Sequence, residues 1–111
     1  MLPKKHRLSK SAEVKQTTAR GRSFFNPCFI LKSIPALEGC KVTVIVSTKV
    51  SKKAVDRNRL KRVIREVVRE ALPRFKPGTY AFIVKLAAMK ITSAELKEQV
   101  SQALKASKVI S

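Results

Sequence analysis

The sequence predicts one α+β domain over residues 1–111, an α/β sandwich in which helices cover a sheet. Three observations predict this class. The chain of 111 residues suits one domain of ordinary size rather than two, and with 44% hydrophobic residues it can bury a core. Several stretches alternate apolar and polar side chains as strands do, whereas others repeat apolar residues at helical intervals. Strands and helices alternate along the chain, so they are expected to share one core.

The first part of the chain predicts a helix and three strands. A basic arm over residues 1–8 leads into a short helix that is expected to end near Thr18. Residues 23–34 are apolar and are interrupted by Pro27, which predicts a short strand, a break and a longer strand. Residues 40–47 place valines at every second position and predict a third strand.

The rest of the chain predicts a long helix, a strand and a final helix. Over residues 54–72 the apolar residues form one wide stripe, which is typical of a helix that covers a sheet, and Ser51 is its expected cap. Residues 79–86 alternate again and predict the fourth strand. Thr92 and Glu95 have the spacing of a capping box, so the last helix is expected to begin there.

The charge of the chain is its strongest functional signal. Lysine and arginine number 25 against 7 aspartate and glutamate, a formal net charge of +18. Self-repulsion of this size destabilises the compact state, and an acidic partner that binds only the folded chain offsets it. Eleven of the cations fall within residues 49–76 and seven within residues 1–22, with three and one carboxylates beside them. A polyphosphate is the expected partner, because each neutralised phosphate releases counterions.

The long helix carries much of this charge on one side. A helical projection places these polar residues opposite the apolar stripe: Asn58, Lys61, Arg62, Arg65 and Arg69. Arg62 and Glu66 have the spacing of an i,i+4 ion pair, which fits an ordinary solvated face. Lys61 and Arg69, however, each have the like-charged Arg65 four residues away, which costs stability unless an anion is present. We therefore favour a phosphate-binding face. Arg57, at the edge of the stripe, either binds RNA or fastens the helix to neighbouring backbone.

Other classes of protein find little support in the sequence. The single histidine, His6, has no evident acid partner, and the carboxylates lie among arginines rather than in a metal-ligand cluster, so no catalytic site is expected in the chain. No apolar stretch is long enough to span a bilayer, and no apolar run follows the basic start as a secretory signal requires. Cys28 and Cys40 lack the spacing of a zinc site and are expected to be reduced and partly buried, as in a cytoplasmic protein.

The segment KVSKKAVDRNRLKRVIREVVRE, residues 49–70, closely resembles the signature of the bacterial ribonuclease P protein component. In that family a lysine-rich loop leads into Ala-Val, then Arg-Asn-Arg, a Lys-Arg pair and Arg-Glu along one helix. The matching residues are Lys49, Lys52, Ala54, Val55, Arg57, Asn58, Arg59, Lys61, Arg62, Arg65 and Glu66. Arg7, Leu8, Gly21 and Phe29 suit the family as well, so the resemblance covers nearly the whole chain.

The resemblance implies the element order αβββαβα with a left-handed βαβ crossover, an exception to the usual hand. It also implies a protein cofactor of ribonuclease P, which binds a catalytic RNA and the 5′ leader of precursor tRNA and promotes endonucleolytic removal of that leader. The catalytic centre and its Mg²⁺ ions would belong to the RNA, and the chain would bind no metal tightly. Its partners would be the catalytic RNA and precursor tRNA in the cytoplasm, with no membrane and no protein oligomer required.

The resemblance also assigns residues to the two RNA partners. Contacts with the catalytic RNA are assigned to Lys49, Lys52, Lys53, Arg57, Asn58, Arg59, Lys61, Arg62, Arg65 and Arg69. Candidates for the leader are Arg7, Val14, Thr18, Arg22 and Phe29. The family often has aromatic residues where this chain has Val14 and Thr18, and bases stack on aromatic rings. Phe24, Phe25 and Phe29 are the alternative source of such rings, unless they pack in the sheet.

A second class of function remains open at this point. A ribosomal or RNA-chaperone protein would share the small size and the basic character, but it would bind structured RNAs without preferring a leader. A peripheral membrane module would need an exposed apolar face, and here the apolar stripe is needed to cover the sheet. A stand-alone nuclease would cleave RNA without an RNA subunit.

Overall fold

The computed structural model describes residues 21–35 and 39–110, which form four strands, two α-helices and two short 3₁₀ segments. The strands are β1 (Arg22–Phe25), β2 (Phe29–Pro35), β3 (Cys40–Ile45) and β4 (Gly78–Val84). The helices are α1 (Ala54–Ala71) and α2 (Ser93–Ala106), and the 3₁₀ segments span Leu72–Arg74 and Leu86–Lys90. The basic arm and the helix predicted before Thr18 lie outside the described residues.

The four strands form one sheet in the order β1-β2-β4-β3. β2 lies antiparallel to both β1 and β4, whereas β3 lies parallel to β4. A parallel pair needs a crossover connection, and α1 provides it, because it lies between β3 and β4 in the chain. The described elements confirm the predicted α+β class and the order of strands and helices. The hand of the crossover stays a prediction.

The interruption at Pro27 becomes the turn between β1 and β2. The backbone N–H of Asn26 donates to the carbonyl oxygen of Phe29 at 2.9 Å, which closes the turn. The Asn26 side chain then accepts from the N–H of Cys28 at 2.8 Å, as asparagine commonly does in turns. The predicted pattern of short strand, break and longer strand is therefore confirmed.

Both helices pack on one face of the sheet. The strand register brings Leu31, Phe82 and Val44 side by side on β2, β4 and β3, and all three are buried. The helix residues that join them in one hydrophobic cluster are Leu60, Val63, Ile64, Val68, Leu96, Val100, Ala103 and Leu104. Fully burying a Val, Leu or Ile side chain stabilises a fold by about 1.5–3 kcal/mol, so this face holds the sandwich together.

The alternate residues of each strand point to the opposite face, which we call the outer sheet face. It carries Ile30, Lys32, Lys41, Thr43 and Ile83, all half-buried. Lys32, Ala81 and Thr43 lie in register across β2, β4 and β3. Residues in register share one face of a sheet, so Lys32 lies beside Ala81 and Thr43 on the outer sheet face.

The helix α1 begins at Ala54, close to the prediction, but its cap differs from the expected one. The N-cap is Lys53, which has no side-chain oxygen to offer the first turn. Ser51 lies two residues earlier, where its hydroxyl accepts from the Lys53 N–H at 3.2 Å and donates to the Asp56 carboxylate at 2.9 Å. The prediction of Ser51 as the cap is therefore wrong, and its hydroxyl instead ties the preceding loop to the first turn.

The strand β4 ends earlier than the alternation predicts. Residues 79–86 were expected to be extended, but β4 ends at Val84 and a 3₁₀ segment begins at Leu86. The Leu86 side chain is 56% exposed, so it does not continue the inward row of Phe82 and Val84. The capping box at the start of α2 is confirmed: the Thr92 hydroxyl accepts from the Glu95 N–H at 3.1 Å, and the Glu95 carboxylate accepts from the Thr92 N–H at 3.3 Å.

Candidate nucleic-acid interface

The outer side of α1 carries a row of polar residues, which we call the arginine ridge. It consists of Asn58, Lys61, Arg62, Arg65 and Arg69, and each is exposed or partly exposed. Leu60, Ile64 and Val68, on the opposite side of the helix, are 0% exposed. The helix therefore buries one side against the sheet and presents the other to a partner, as its sequence predicts.

Three of the four ridge cations have no carboxylate partner among the described residues. Within the described part of the chain, Lys61, Arg62 and Arg69 form no ion pair. The Arg62–Glu66 pair that the i,i+4 spacing allows does not form, and the Glu66 carboxylate instead binds the Lys97 ammonium of α2 at 2.9 Å. This hydrogen bond to Lys97 is the main reason that the pKa of Glu66 is lowered, with smaller contributions from the charges of Arg62 and Arg69.

A shallow depression of about 320 Å³ lies on the ridge, lined by Arg62, Arg65, Glu66 and Arg69. Three guanidinium groups on successive turns of one helix can offer forked N–H donors to phosphate oxygens. The like-charged spacing that costs stability in the free protein is favourable once an anion lies between the side chains. The geometry therefore suits a phosphate backbone that runs across or along α1.

Two arginines of the Arg-Asn-Arg motif have partners inside the protein. Arg57 donates to the backbone carbonyl oxygen of Ser51 at 2.8 Å, which favours the structural one of its two interpretations. Arg59 donates to the Ser93 hydroxyl at 3.1 Å and so joins α1 to the start of α2. Each guanidinium has five donors, so a second contact with an RNA phosphate remains open to both.

The three lysines of the loop before α1 extend the ridge at its N-terminal end. Lys49, Lys52 and Lys53 are exposed, while Val50 between them is 7% exposed and anchors the loop to the core. The N–H of Val50 donates to the Ser47 carbonyl at 3.1 Å, which fixes the turn. The loop cations therefore lie directly before the first turn of α1, the helix that carries the ridge.

Two of the five leader candidates, Arg22 and Phe29, lie in the described part of the chain. Arg7, Val14 and Thr18 lie outside the described residues. Phe29 is 0% exposed, and its ring packs edge-to-face against Phe82 with centroids 5.5 Å apart. A ring with no exposed face cannot stack on a base, so the prediction of Phe29 as a leader contact is wrong.

Arg22, Phe24 and Phe25 of β1 do not all lie on the same face of the sheet. Arg22 is exposed at the start of β1, and its register partner Ser33 places it on the side of the sheet that the helices cover. Phe24 packs against the core from the same side, whereas Phe25 is on the outer sheet face and is 70% exposed. Of the aromatic rings on the first two strands, Phe25 alone offers a free face.

Sequence reasoning missed the lysines of the outer sheet face. Lys32 and Lys41 lie on β2 and β3 and flank β4 on that face. A lysine inside a strand is normally interpreted as a solvated residue, and nothing in a single sequence says that two of them share one face. The strand order, which makes β4 the neighbour of both β2 and β3, is what brings them together.

The remaining features concern metals, membranes and thiols. Among the described residues no group of three or more His, Cys, Asp or Glu could hold a metal ion, and no helix is long and apolar enough to cross a membrane. Cys28 and Cys40 are buried thiols that form no disulfide. Burial raises the pKa of the Cys40 thiol to about 11.

A small α/β sandwich with a ridge of arginines and lysines on its crossover helix belongs to the class of RNA-binding proteins. The family model described as Ribonuclease P matches residues 2–108, and the chain belongs to this family, whose members are RNA-binding proteins of a tRNA-processing ribonucleoprotein. The chain is 33% identical over 109 residues to the ribonuclease P protein component of an Exiguobacterium species, which covers 97% of this chain and 95% of that protein. It is 37% identical over 108 residues to the component of Dehalococcoides mccartyi, with 96% and 88% covered.

Solved structures show the same fold. The RNase P protein of Staphylococcus aureus superposes with a TM-score of 0.89 at 24% identity, covering 96% of this chain and 98% of that chain. The RNase P protein of Thermotoga maritima, solved in complex with 1-(4-fluorophenyl)-2-thiourea, gives a TM-score of 0.80 at 23% identity, with 89% and 97% covered. At these identities the likeness concerns the fold.

Proposed function

We propose that this chain is the protein cofactor of a ribonuclease P ribonucleoprotein, in which it binds the catalytic RNA and the 5′ leader of precursor tRNA and promotes removal of the leader. The observation that carries the proposal is the arginine ridge. Its cations Lys61, Arg62 and Arg69 have no ion-pair partner within the described chain, and they lie in the segment that matches the family signature.

The chemistry of cleavage is assigned to the RNA subunit. Its Mg²⁺ ions would supply the activation of water and the stabilisation of the leaving oxygen, as paired metal ions do in phosphoryl transfer. The chain's own residues bind and orient: the ridge and the loop lysines neutralise phosphates of the catalytic RNA. Two polyanions, the catalytic RNA and the precursor tRNA, must approach each other, and a protein with a net charge of +18 reduces their repulsion.

The leader is proposed to follow the outer sheet face. Lys32 and Lys41 can meet its phosphates there, and the exposed ring of Phe25 at the end of β1 can stack on a base. Mature tRNA has lost the leader and therefore makes none of these contacts. The protein would then bind the precursor more tightly than the mature tRNA, and the mature tRNA would dissociate more readily as the product.

The test is a reconstitution. The purified chain is mixed with a bacterial ribonuclease P RNA and leader-bearing precursor tRNA at low Mg²⁺, and each component is also assayed alone. We expect cleavage at the mature 5′ end only when the protein and the RNA are combined. Cleavage by the protein alone would show that the catalytic assignment is wrong. Tight binding to unrelated RNAs without any stimulation of cleavage would support the ribosomal or RNA-chaperone alternative instead.

A matched pair of variants tests the leader path. Lys32→Ala removes a cation of the outer sheet face, and Lys90→Ala removes an exposed cation from the 3₁₀ segment after β4. We expect Lys32→Ala to weaken binding of precursor tRNA by roughly 2- to 10-fold, because one leader phosphate is no longer neutralised, with mature tRNA unaffected. Equal effects of both variants, or on both tRNAs, would contradict this path.

A further inference from the structure

A second basic site lies at the β1 edge of the sheet, away from the arginine ridge. Two adjoining depressions of about 310 and 170 Å³ share Arg22, Ser33 and Ser107 and so form one continuous groove. We call it the edge groove. Its main polar and charged residues are Arg22, Ser33, Lys76, Tyr80, Ser107 and Lys108.

Three cations from three distant parts of the chain converge on the edge groove. Arg22 begins β1, Lys76 lies in the connection before β4, and Lys108 follows α2. None of these side chains makes a hydrogen bond or ion pair within the described chain. The described lining residues include no carboxylate. An uncompensated positive concavity of this kind raises the local concentration of anions.

Lys108 has a backbone conformation that is unfavourable for a residue with a side chain. Its φ is +62°, in the left-handed region, and no other described residue except a glycine has a positive φ. Lys108 occupies the position after the C-cap of α2, and its N–H donates to the Lys105 carbonyl at 3.2 Å. Glycine is usual at this position, and a side chain there costs about 1 kcal/mol. The chain therefore keeps a cation at the groove where a glycine would stabilise the helix end.

The groove is built on fixed backbone. The Tyr80 hydroxyl donates to the Lys76 carbonyl at 2.5 Å, and the Lys76 N–H donates to the Val109 carbonyl at 2.8 Å. The rings of Phe75 and Tyr80 pack edge-to-face with centroids 5.2 Å apart. Gly78 adds a tight contact, since a Cβ there would lie 2.8 Å from the Ile34 carbonyl oxygen. The positions that carry the cations are thus preorganised, which lowers the entropic cost of binding.

The edge groove and the arginine ridge lie at opposite edges of the sheet. α1 packs on β3, at one edge of the sheet, whereas Arg22 lies on β1, at the other edge. β2 and β4 lie between them. We propose that the edge groove is a further RNA site, separate from the arginine ridge and from the leader path on the outer sheet face, and that it binds the phosphodiester backbone of an RNA strand. The proposal rests on the proposed function, because it needs the RNA partners named there.

The test is a ¹⁵N-resolved NMR titration of the protein with a 12-nucleotide oligouridylate. Besides signals of the outer sheet face, which the proposed leader path accounts for, we expect two groups of amide signals to move: those of α1 around Arg62 and Arg69, and those of Ser33, Ser107 and Val109 in the edge groove. In the double variant Arg22→Ala/Lys108→Gly, the concentration needed to move the groove signals should rise by roughly 10-fold, while the α1 signals respond as before.

The control removes the same number of charges elsewhere. Lys90→Ala/Lys105→Ala replaces two exposed lysines that do not line the groove, and it should leave the groove signals unchanged. Lys108→Gly alone should fold at least as stably as the parent in urea, because glycine suits the left-handed backbone. A loss of groove binding in this variant therefore reports the missing charge and not a damaged fold.

Three results would overturn the inference. If the α1 signals move and the groove signals do not, the second site is wrong and the proposed function stands. If neither group moves, the proposed function fails with it. If inorganic phosphate alone moves the groove signals at a lower phosphate concentration than the oligouridylate does, the groove is a site for a free anion and not for RNA.

Discussion

The two helices cover the same face of the sheet but are built in opposite ways. α2 begins with a complete capping box between Thr92 and Glu95 and supports its exposed side with a hydrogen bond from Gln102 to Glu98 at 3.1 Å. Its two acidic and two basic residues balance each other. α1 has no side-chain cap and carries six cations against three carboxylates. The helix that is locally optimised serves the fold, whereas the helix that gives up local stability carries the candidate RNA site.

The comparison indicates that stability and RNA binding depend on different residues of the two helices. α1 keeps its place because its buried stripe packs on the sheet and because Arg59 and Glu66 bind residues of α2. Its exposed side can then carry repulsive charges, whose cost the proposed RNA contacts would offset. Substitutions on the ridge of α1 should therefore lower RNA affinity and leave the fold intact, whereas substitutions at the cap of α2 should lower stability and leave RNA affinity unchanged.

The largest expected effect is on the ridge. The triple variant Lys61→Ala/Arg62→Ala/Arg69→Ala should weaken binding of the catalytic RNA by roughly 10- to 100-fold at low salt. The slope of log affinity against log salt should fall by roughly 0.7–0.9 for each phosphate that the variant no longer neutralises. Filter binding across a salt series measures both quantities. The thermal transition should stay cooperative, and its disappearance would mean that the ridge belongs to the fold.

The next effect is on the cap of α2. Thr92→Ala removes the hydroxyl that accepts from the Glu95 N–H, while the backbone N–H of residue 92 can still donate to Glu95, and it should lower the free energy of unfolding by about 1 kcal/mol. Thr92→Ser keeps a hydroxyl in the same place and should retain most of that stability. Urea denaturation compares the three proteins. RNA affinity should be equal in all of them, and a parallel loss of affinity would contradict the division of roles between the helices.

A smaller and opposite effect is expected where α1 lacks a cap. Lys53→Ser gives the N-cap position a hydroxyl and should raise the free energy of unfolding by about 0.5–1 kcal/mol. It should also weaken RNA binding by roughly 2- to 5-fold, because one cation is removed. Lys52→Ser is the matched control, since it removes the same charge without adding a cap. Equal stability of the two variants would refute the capping argument.

The smallest effect concerns the ion pair that joins the helices. Lys97 lowers the pKa of Glu66 in the folded protein below 4.5, the ordinary value that applies to the unfolded chain. The folded protein therefore binds a proton at this carboxylate more weakly than the unfolded chain does. The pair therefore stabilises the fold above about pH 4.5, and this contribution is lost as the pH falls through the lowered pKa. An NMR titration of Glu66 should show its pKa rise towards 4.5 in Lys97→Met. An unchanged pKa would mean that the neighbouring arginines cause the shift.

Local patterns in the sequence predict the helices well. The stripe of Leu60, Ile64 and Val68 and the capping box at Thr92 depend on residues within a few positions of each other, and the structure confirms both. The end of β4 is less well predicted, because alternation alone does not show that Leu86 turns out of the sheet. Hydrogen bonding to distant strands decides where a strand ends.

The candidate site could be predicted only in part for the same reason. The cations of α1 follow from helical spacing, but the partners of Arg59 and Glu66 lie on α2, more than thirty residues away in the chain. The wrong assignment of Phe29 to the leader has a similar cause. Its neighbours, and hence its burial, depend on the pairing of β2 with β4, which no local pattern reveals.

The position of α1 between two parallel strands also has a kinetic consequence. β3 and β4 can pair only after the connection that contains α1 has closed, and contacts between distant segments slow folding. The like charges of the ridge lie on that connection and oppose its compaction. Refolding should therefore be faster when salt or RNA screens these charges. The protein subunit would then fold fastest in the presence of the RNA that it is proposed to bind.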